Sequence, residues 1–339
     1  MRKSLITISA LILVTGLSTA PAHADGGSCG AVTLPVSLAQ GQAAVDTVAG
    51  TLCTPPGWGA GAPGDLDVLV AGATYTRTYW DWPQYSGRYS YVARTLHAGR
   101  ATFSYDRPGT GASTRPPSVA VTLPGEAWVL HQVVRHLRDD PRVGRVTAVG
   151  HSLGSGIAVT EAGTHHDVDR VVATGMLHAV GSALVPALLS FAPAALDPQF
   201  LGRGYDLGYL TTTPGSRAAA FYAPSADPQV IAYDEAHKDV VSAVEFGGYP
   251  TLLTPALIDV SATVTAPVLA MAGRKDVLVC GGPTLDCADP AAVSANETAY
   301  YPASAGVTAV TIPDTGHDLA LHPSADVSFG VIDAWIRGH

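Results

Sequence analysis

Three residues of this sequence have the types and the order that nucleophilic acyl transfer requires. Ser152 stands between two glycines in GHSLG, residues 150–154, while Asp276 and His317 each follow an apolar run. A serine hydroxyl becomes a strong nucleophile when a histidine accepts its proton and a carboxylate orients that histidine. We therefore predict Ser152 as the nucleophile, His317 as the general base and Asp276 as the residue that orients the base.

The GxSxG pattern needs structural context, because a chain with 36 glycines among 339 residues can contain it by chance. A second copy, residues 26–30, has no strand before it and no apolar helix after it. The copy at Ser152 follows the apolar run VTAV and precedes a stretch of helical period, which predicts a sharp turn from strand to helix. His151 is then expected to be structural, since its side chain must point away from Ser152.

The elements that must position these residues alternate between strand and helix from about residue 65. Apolar runs that predict strands are residues 65–72, 100–106, 144–150, 168–176, 266–273 and 307–314. Helices are predicted at 87–99, 125–140, 153–163 and 326–336. This alternation is typical of an α/β fold with a mostly parallel central sheet flanked by helices. The carboxyl ends of parallel strands share one edge, where we expect the three chemical groups to meet.

Four motifs in order make the sequence resemble the α/β-hydrolase family over residues 65–337. They are the turn at Ser152, the order Ser, Asp, His, the segment DRPGTGAS at 106–113, and VLVAGATY at 68–75. The resemblance implies an α/β-hydrolase fold and a secreted bacterial serine esterase or a lipase-like enzyme that needs no cofactor. It also implies a helical cap at 178–265, inserted between strands 6 and 7 of a core made of 65–177 and 266–339. Residues 25–64 form an N-terminal extension with strands.

The oxyanion loop departs from the family pattern, which usually has His-Gly where this chain has Ala71 and Gly72. Backbone amides bind the oxyanion, so the missing histidine side chain does not remove the donors. The resemblance implies the amides of Ala73 and Leu153 as the oxyanion hole, with Thr74 as the alternative to Ala73.

The proposed cap is rich in aromatic residues, which favours an uncharged ester with an apolar acyl or alcohol part. Candidate substrate-binding residues are Tyr75, Trp80, Phe191, Tyr209 and Phe246. Such residues can equally fill the cap's own core. Lactonases, thioesterases, amidases and polyester depolymerases are open alternatives on the same three residues, as is a non-catalytic binding protein. Dehalogenase and epoxide-hydrolase chemistry is disfavoured because those relatives have an aspartate where Ser152 stands.

The first 24 residues have two basic residues, an apolar run and an Ala-His-Ala end, which predicts a signal peptide cleaved after Ala24 and a secreted protein. Its removal takes the formal net charge from −9 to −11, so nucleic acid is not an expected partner. The uncharged stretch 171–196 is interrupted by glycines and prolines, which argues against a membrane span. A small-molecule ester is the expected partner, without an obligate protein partner or stable membrane insertion.

The four cysteines of an exported chain predict disulfides. Three pairings are possible, and we expect Cys29–Cys53 and Cys280–Cys287 because each closes a local loop. A zinc site with the cysteines as ligands is the alternative to disulfides, but the sequence has no CxxC pair. The run HHD at 165–167 does not predict a metal site either, since adjacent histidines at a helix end face apart.

Overall fold

The structure is a computed structural model that describes residues 27–248, 260–281 and 285–339, so the predicted signal peptide lies outside the described residues. The described strands are β1 (Ser28–Val36), β2 (Asp46–Thr54), β3 (Gly64–Val70), β4 (Ala101–Tyr105), β5 (Val143–His151), β6 (Arg170–Thr174), β7 (Phe191–Pro193), β8 (Tyr209–Thr212), β9 (Val241–Ser242), β10 (Val268–Gly273) and β11 (Thr308–Ile312).

Eight of these strands form one sheet in the order β1-β2-β4-β3-β5-β6-β10-β11. The strands from β4 to β11 in this order pair in parallel, whereas β1 and β2 form an antiparallel hairpin that joins the sheet beside β4. β6 and β10 are buried along their whole length, which explains why both are continuous apolar runs in the sequence. The predicted α/β-hydrolase fold with a mostly parallel sheet is confirmed.

Helices cover both faces of the sheet, as parallel connections require. The described α-helices are α1 (Ser86–Tyr89), α2 (Tyr91–His97), α3 (Leu123–Arg138), α4 (Leu153–Thr164), α5 (Leu184–Leu188), α6 (Arg217–Phe221), α7 (Pro228–Ala236), α8 (Ala243–Gly248), α9 (Pro290–Thr298) and α10 (Ala325–Gly338). α3 begins at a Thr122 side chain that accepts a hydrogen bond from Gly125 N–H, and it packs against α4.

A long insertion separates β6 from β10, the sixth and seventh strands of the main sheet along the chain. It contains α5 to α8 and also a small antiparallel sheet in the order β7-β8-β9, which the sequence analysis did not predict. These strands have two to four residues each, too few for alternation to be visible in the sequence.

Both predicted disulfides are confirmed. Cys29 and Cys53 face each other across the β1–β2 hairpin, and Cys280 with Cys287 closes the loop that follows β10. Disulfides are typical of proteins that fold outside the reducing cytoplasm. Among the described helices, none has the length and hydrophobicity needed to cross a bilayer. The stretch 171–196 forms separate short elements, among them α5 and β7.

Candidate active site

Ser152 occupies the sharp turn between β5 and α4. Its backbone has φ 51° and ψ −119°, and its N–H donates to Thr174 O at 2.7 Å. A residue with a side chain adopts this positive φ only at a cost of about 1 to 3 kcal/mol, which the surrounding structure must offset. The turn places Ser152 directly before the first helical N–H groups of α4, where negative charge is stabilised.

The two glycines around Ser152 are required by close packing. A Cβ at Gly150 would lie 2.4 Å from Gly154 O, and one at Gly154 would lie 2.2 Å from Val70 O in β3. Neither position can therefore accept a larger side chain without moving α4 away from the sheet. The spacing that first suggested a nucleophile is thus a consequence of how tightly α4 turns back onto β5 and β3.

His317 and Asp276 form a hydrogen-bonded pair at the same edge of the sheet. Asp276 follows β10 and His317 follows β11, and His317 Nδ1 lies 2.8 Å from Asp276 Oδ2. The other Asp276 oxygen accepts a hydrogen bond from Leu278 N–H at 2.9 Å. Burial by itself lowers the pKa of His317, but the nearby Asp276 carboxylate outweighs burial and leaves that pKa above its ordinary value of 6.5.

Ser152 and His317 line the same cleft. Within the described part of the chain, neither the Ser152 hydroxyl nor His317 Nε2 makes a hydrogen bond. Catalytic hydrogen bonds often become short only when a substrate is bound. Both atoms are therefore available to a substrate and to each other.

Two other aspartates near His317 in the sequence have different partners. Asp314 is exposed and pairs with Lys275 at 2.7 Å. Asp318 is buried and lies 3.0 Å from His151 Nε2. Asp276 is therefore the carboxylate that contacts the His317 imidazole.

His151 lies next to Ser152 in the chain, and both of its ring nitrogens have partners. Nε2 contacts Asp318, and Nδ1 lies 3.2 Å from Thr174 Oγ1. The ring stacks on Tyr79 with centroids 4.4 Å apart. Burial lowers the pKa of His151, although Asp318 opposes that change. These contacts support the structural role that the sequence analysis predicted.

The predicted oxyanion loop follows β3 and packs against the Ser152 turn. A Cβ placed on Gly72 would lie 3.2 Å from Ser152 Cβ, which shows how closely the two segments approach. Ala73 lines the cleft beside Ser152. Thr74 is fully buried at φ 63°, and its hydroxyl donates to Ala73 O at 2.6 Å. Ala73 therefore lines the cleft, whereas Thr74 does not and its side chain makes buried contacts.

Two buried arginines, neither of them among the residues predicted from the sequence, hold this loop in place. Arg107, in the DRPGTGAS motif, donates to Gly72 O at 3.1 Å and pairs with Glu245 in α8. Arg217 in α6 donates to Thr74 Oγ1 at 2.7 Å and pairs with Asp234 in α7. Both ion pairs therefore link the insertion to the oxyanion loop. In each ion pair the arginine and the carboxylate are 17 or more positions apart in the sequence. No local sequence pattern predicts a contact over such a separation.

The cleft encloses about 630 Å³ of space between atoms, part of it open to solvent. Three of the candidate substrate-binding residues line it, namely Tyr75, Phe191 and Phe246. Aliphatic and aromatic residues that the sequence analysis did not single out complete the wall: Leu184, Ala187, Leu188, Phe221, Leu278 and Val279. Leu278 and Val279 stand two and three residues after Asp276, and this position was a signal available in the sequence.

The other two candidates lie elsewhere, which corrects the prediction. Trp80 is buried in the core against Tyr79 and Tyr91. Tyr209, in β8, packs with Phe200 and donates its hydroxyl to Pro116 O at 2.7 Å. Both rings fill space between helices and strands, which was the alternative to substrate binding for these aromatic residues.

Comparison with known proteins agrees with this architecture. A sequence model of the alpha/beta hydrolase family matches residues 68–328. The chain belongs to the alpha/beta hydrolase family. No curated protein sequence is significantly similar to this alpha/beta hydrolase.

Solved structures of esterases and lipases resemble the alpha/beta hydrolase in fold. A thermophilic esterase from Thermogutta terrifontis is 18% identical, with 91% of this chain and 98% of that chain covered and a TM-score of 0.61. A monoacylglycerol lipase from Paleococcus ferrophilus is 18% identical, with coverages of 81% and 95% and a TM-score of 0.56. The esterase domain of a Rhodothermus marinus protein is 16% identical, with coverages of 91% and 98% and a TM-score of 0.56. At such identities the likeness establishes the fold.

Proposed function

We propose that this alpha/beta hydrolase is a secreted serine hydrolase that cleaves carboxylic esters with an apolar acyl or alcohol part. The observation that carries the proposal is the arrangement of Ser152 at a strained turn in the same cleft as His317, whose Nδ1 is bound to Asp276. This arrangement leaves Nε2 of His317 to accept the serine proton.

In the proposed reaction His317 Nε2 takes the proton of Ser152 as its oxygen attacks the ester carbonyl. The amides of Ala73 and Leu153 stabilise the developing oxyanion, each contributing about 3 to 4 kcal/mol in the transition state. The protonated His317, stabilised by Asp276, then gives its proton to the leaving alkoxide. A water molecule, activated by the same histidine, hydrolyses the acyl-enzyme and restores Ser152.

The chemistry of the cleft wall supports an uncharged substrate. Apart from His151, Ser152 and His317, the lining residues carry aliphatic or aromatic side chains or are glycine and alanine. A charged acyl chain would lose its hydration there without gaining an ion-pair partner. We therefore expect p-nitrophenyl butyrate to react much faster than the p-nitrophenyl ester of succinate, which carries a carboxylate at the end of its acyl chain.

The deciding experiment is labelling of the mature protein with a fluorophosphonate probe, followed by peptide mass spectrometry. Wild type should form one adduct, on Ser152, and Ser152→Ala should form none and lose about 10⁶-fold in kcat on p-nitrophenyl butyrate. Ser155→Ala is the matched control, because Ser155 is a buried serine in the first turn of α4, directly after Ser152, that donates to Thr174 O and does not line the cleft.

A folded wild-type protein that neither labels nor hydrolyses any ester of a graded series would contradict the proposal and favour a non-catalytic binding protein. Secretion is tested separately. The two disulfides support it, and the protein recovered from the culture medium should begin at Asp25. Retention of residues 1–24 in the recovered protein would refute the predicted cleavage.

A further inference from the structure

A second cluster of ionisable side chains lies between α3 and α4, outside the cleft. His131 is in the middle of α3, Glu161 is near the end of α4, and Asp167 lies three residues beyond that helix. A helix rises about 1.5 Å per residue, so Glu161 is about 13 Å along α4 from Ser152. None of the three residues lines the cleft. The cluster therefore needs an explanation separate from the proposed ester hydrolysis.

The three side chains converge on one point. His131 Nδ1 lies 2.7 Å from Asp167 Oδ2 and 4.0 Å from Glu161 Oε1. One nitrogen or oxygen atom from each residue lies within 4.8 Å of the other two. Ligands that sit 2.0 to 2.2 Å from one tetrahedral zinc ion are separated by about 3.3 Å, so small side-chain rotations would place these three donors around a common ion.

The cluster also has an unusual lack of hydrogen bonds. Among the residues that the structure describes, only Glu161 and Asp167 have both carboxylate oxygens buried without a well-aligned hydrogen bond. The close contact of Asp167 Oδ2 with His131 Nδ1 is an ion-pair distance without hydrogen-bond alignment. Glu161 is 0% exposed. Such a carboxylate costs about 1 to 3 kcal/mol or more unless another group compensates it.

We propose that His131, Glu161 and Asp167 bind one divalent transition-metal ion, and that Zn²⁺ suits the site best. One imidazole nitrogen and two carboxylate oxygens are ligands that zinc takes in tetrahedral sites, whereas Ca²⁺ and Mg²⁺ prefer oxygen alone. The ion's two positive charges balance the two carboxylates. The side chains of His131 and Asp167 are 20% and 18% exposed, so the cluster lies close to the protein surface and an ion has a short path to it.

A bound ion would link α3, α4 and the segment that follows α4. α4 carries Ser152 at its beginning, so a link at its end would hold the nucleophile's helix against its neighbour. The ion is far from the cleft, and its effect would be on stability and not on the chemical step. This separates the proposal from the proposed hydrolase activity.

Zinc binding is tested on the mature protein after treatment with a chelator and dialysis. Isothermal titration calorimetry with ZnCl₂ should show one tight site per chain, and zinc at about 100 times Kd should raise Tm by about 5 °C. Glu161→Gln keeps the side-chain shape and removes the charge, so it should weaken binding by at least about 100-fold and abolish the Tm shift. His136→Ala, on the exposed face of α3, is the matched control and should behave like wild type.

Absence of saturable zinc binding in wild type, or equal binding by wild type and Glu161→Gln, would overturn the proposal. A wild-type Tm that zinc does not change, together with a higher Tm for Glu161→Gln, would identify Glu161 as a permanently protonated acid beside Asp167. If circular dichroism shows that Glu161→Gln does not fold, Asp167→Asn takes its place in the same titration. Asp167 lies after the end of α4 and is only half-buried, so its substitution should leave the packing of α4 against α3 unchanged.

Discussion

Two histidine–aspartate pairs lie side by side at the cleft, with imidazole centroids 5.0 Å apart, and they differ in how the second ring nitrogen is used. His317 is bound to Asp276 through Nδ1 and makes no hydrogen bond to a described residue through Nε2. His151 is bound to Asp318 through Nε2 and to Thr174 through Nδ1. A general base needs a free nitrogen, so the contacts of the second nitrogen distinguish the proposed base from the structural histidine.

The surroundings of the two pairs reinforce this difference. Asp318 belongs to a buried network, in which the Tyr75 hydroxyl donates to Asp318 at 2.6 Å and lies 3.0 Å from Asp234. Asp234 in turn pairs with Arg217. The network continues into the insertion, while the Asp276–His317 pair ends at the cleft. A fully partnered network favours rigidity, and a pair with one free nitrogen favours proton transfer.

Asp276→Asn should have the largest effect on this comparison. An asparagine amide can donate to Nδ1, which fixes the wrong tautomer of His317, so kcat on p-nitrophenyl butyrate should fall by about 10⁴-fold. Steady-state kinetics measure the loss, and an unchanged circular dichroism spectrum shows that the fold is retained. Full activity of this variant would mean that another carboxylate orients the base.

Asp318→Asn is the matched substitution in the other pair. Asparagine has one acceptor oxygen where aspartate has two, so either the His151 or the Tyr75 hydrogen bond is lost. We expect the free energy of unfolding to fall by about 1 to 3 kcal/mol and kcat to fall by less than about 10-fold. Urea denaturation and the same kinetic assay measure both quantities. A kcat loss as large as that of Asp276→Asn would show that the two pairs do not have separate roles.

The pH dependence of kcat/KM should also separate the pairs. The proposed base acts in its neutral form, and Asp276 raises the pKa of His317 above 6.5. Activity should therefore fall, as pH is lowered, at a pH above that of an ordinary histidine. The residual activity of Asp276→Asn should fall at a lower pH than that of wild type, because the carboxylate charge that raises the pKa of His317 is gone. An identical acid limb in both proteins would argue against His317 as the base.

The smallest effect is expected from Thr174→Val, which removes the hydroxyl beside His151 Nδ1. This hydroxyl also donates to Gly150 O at 2.9 Å. The free energy of unfolding should fall by about 1 kcal/mol in urea denaturation, with kcat within about 2-fold of wild type. Thr174→Ser keeps the hydroxyl and should retain most of the stability. A large kcat loss in the valine variant alone would assign His151 a catalytic part.

The residues whose chemistry coincides with a local pattern were the most predictable from the sequence. Glycines at 150 and 154, an apolar run before them and a small-residue helix after them predicted the turn at Ser152, and the structure has that turn. Asp276 and His317 were selected because each follows an apolar run, and the structure joins them at 2.8 Å. Local pairing likewise predicted both disulfides, since short loops bring cysteines together at little entropic cost.

Side-chain contacts between residues far apart in the chain could not be predicted from the sequence. Trp80 and Tyr209 were expected at the cleft, but each fills a gap between elements whose relative positions no local pattern reveals. His131 and Glu161 are thirty positions apart on two helices, and their convergence with Asp167 depends on how α3 packs on α4. The run HHD at 165–167 was judged not to predict a metal site, because adjacent histidines face apart, yet its Asp167 belongs to this cluster.

The sequence by itself determined the family, the order of the elements and the residue types at the strand ends, because hydrophobic periodicity and turn chemistry act within a few residues. The tertiary structure decided which aromatic rings line the cleft, which arginines hold the oxyanion loop and which carboxylates are left without well-aligned hydrogen bonds. Those outcomes depend on side-chain distances across the folded chain, and a shift of a few ångströms changes a hydrogen-bond partner without changing the pattern of the sequence.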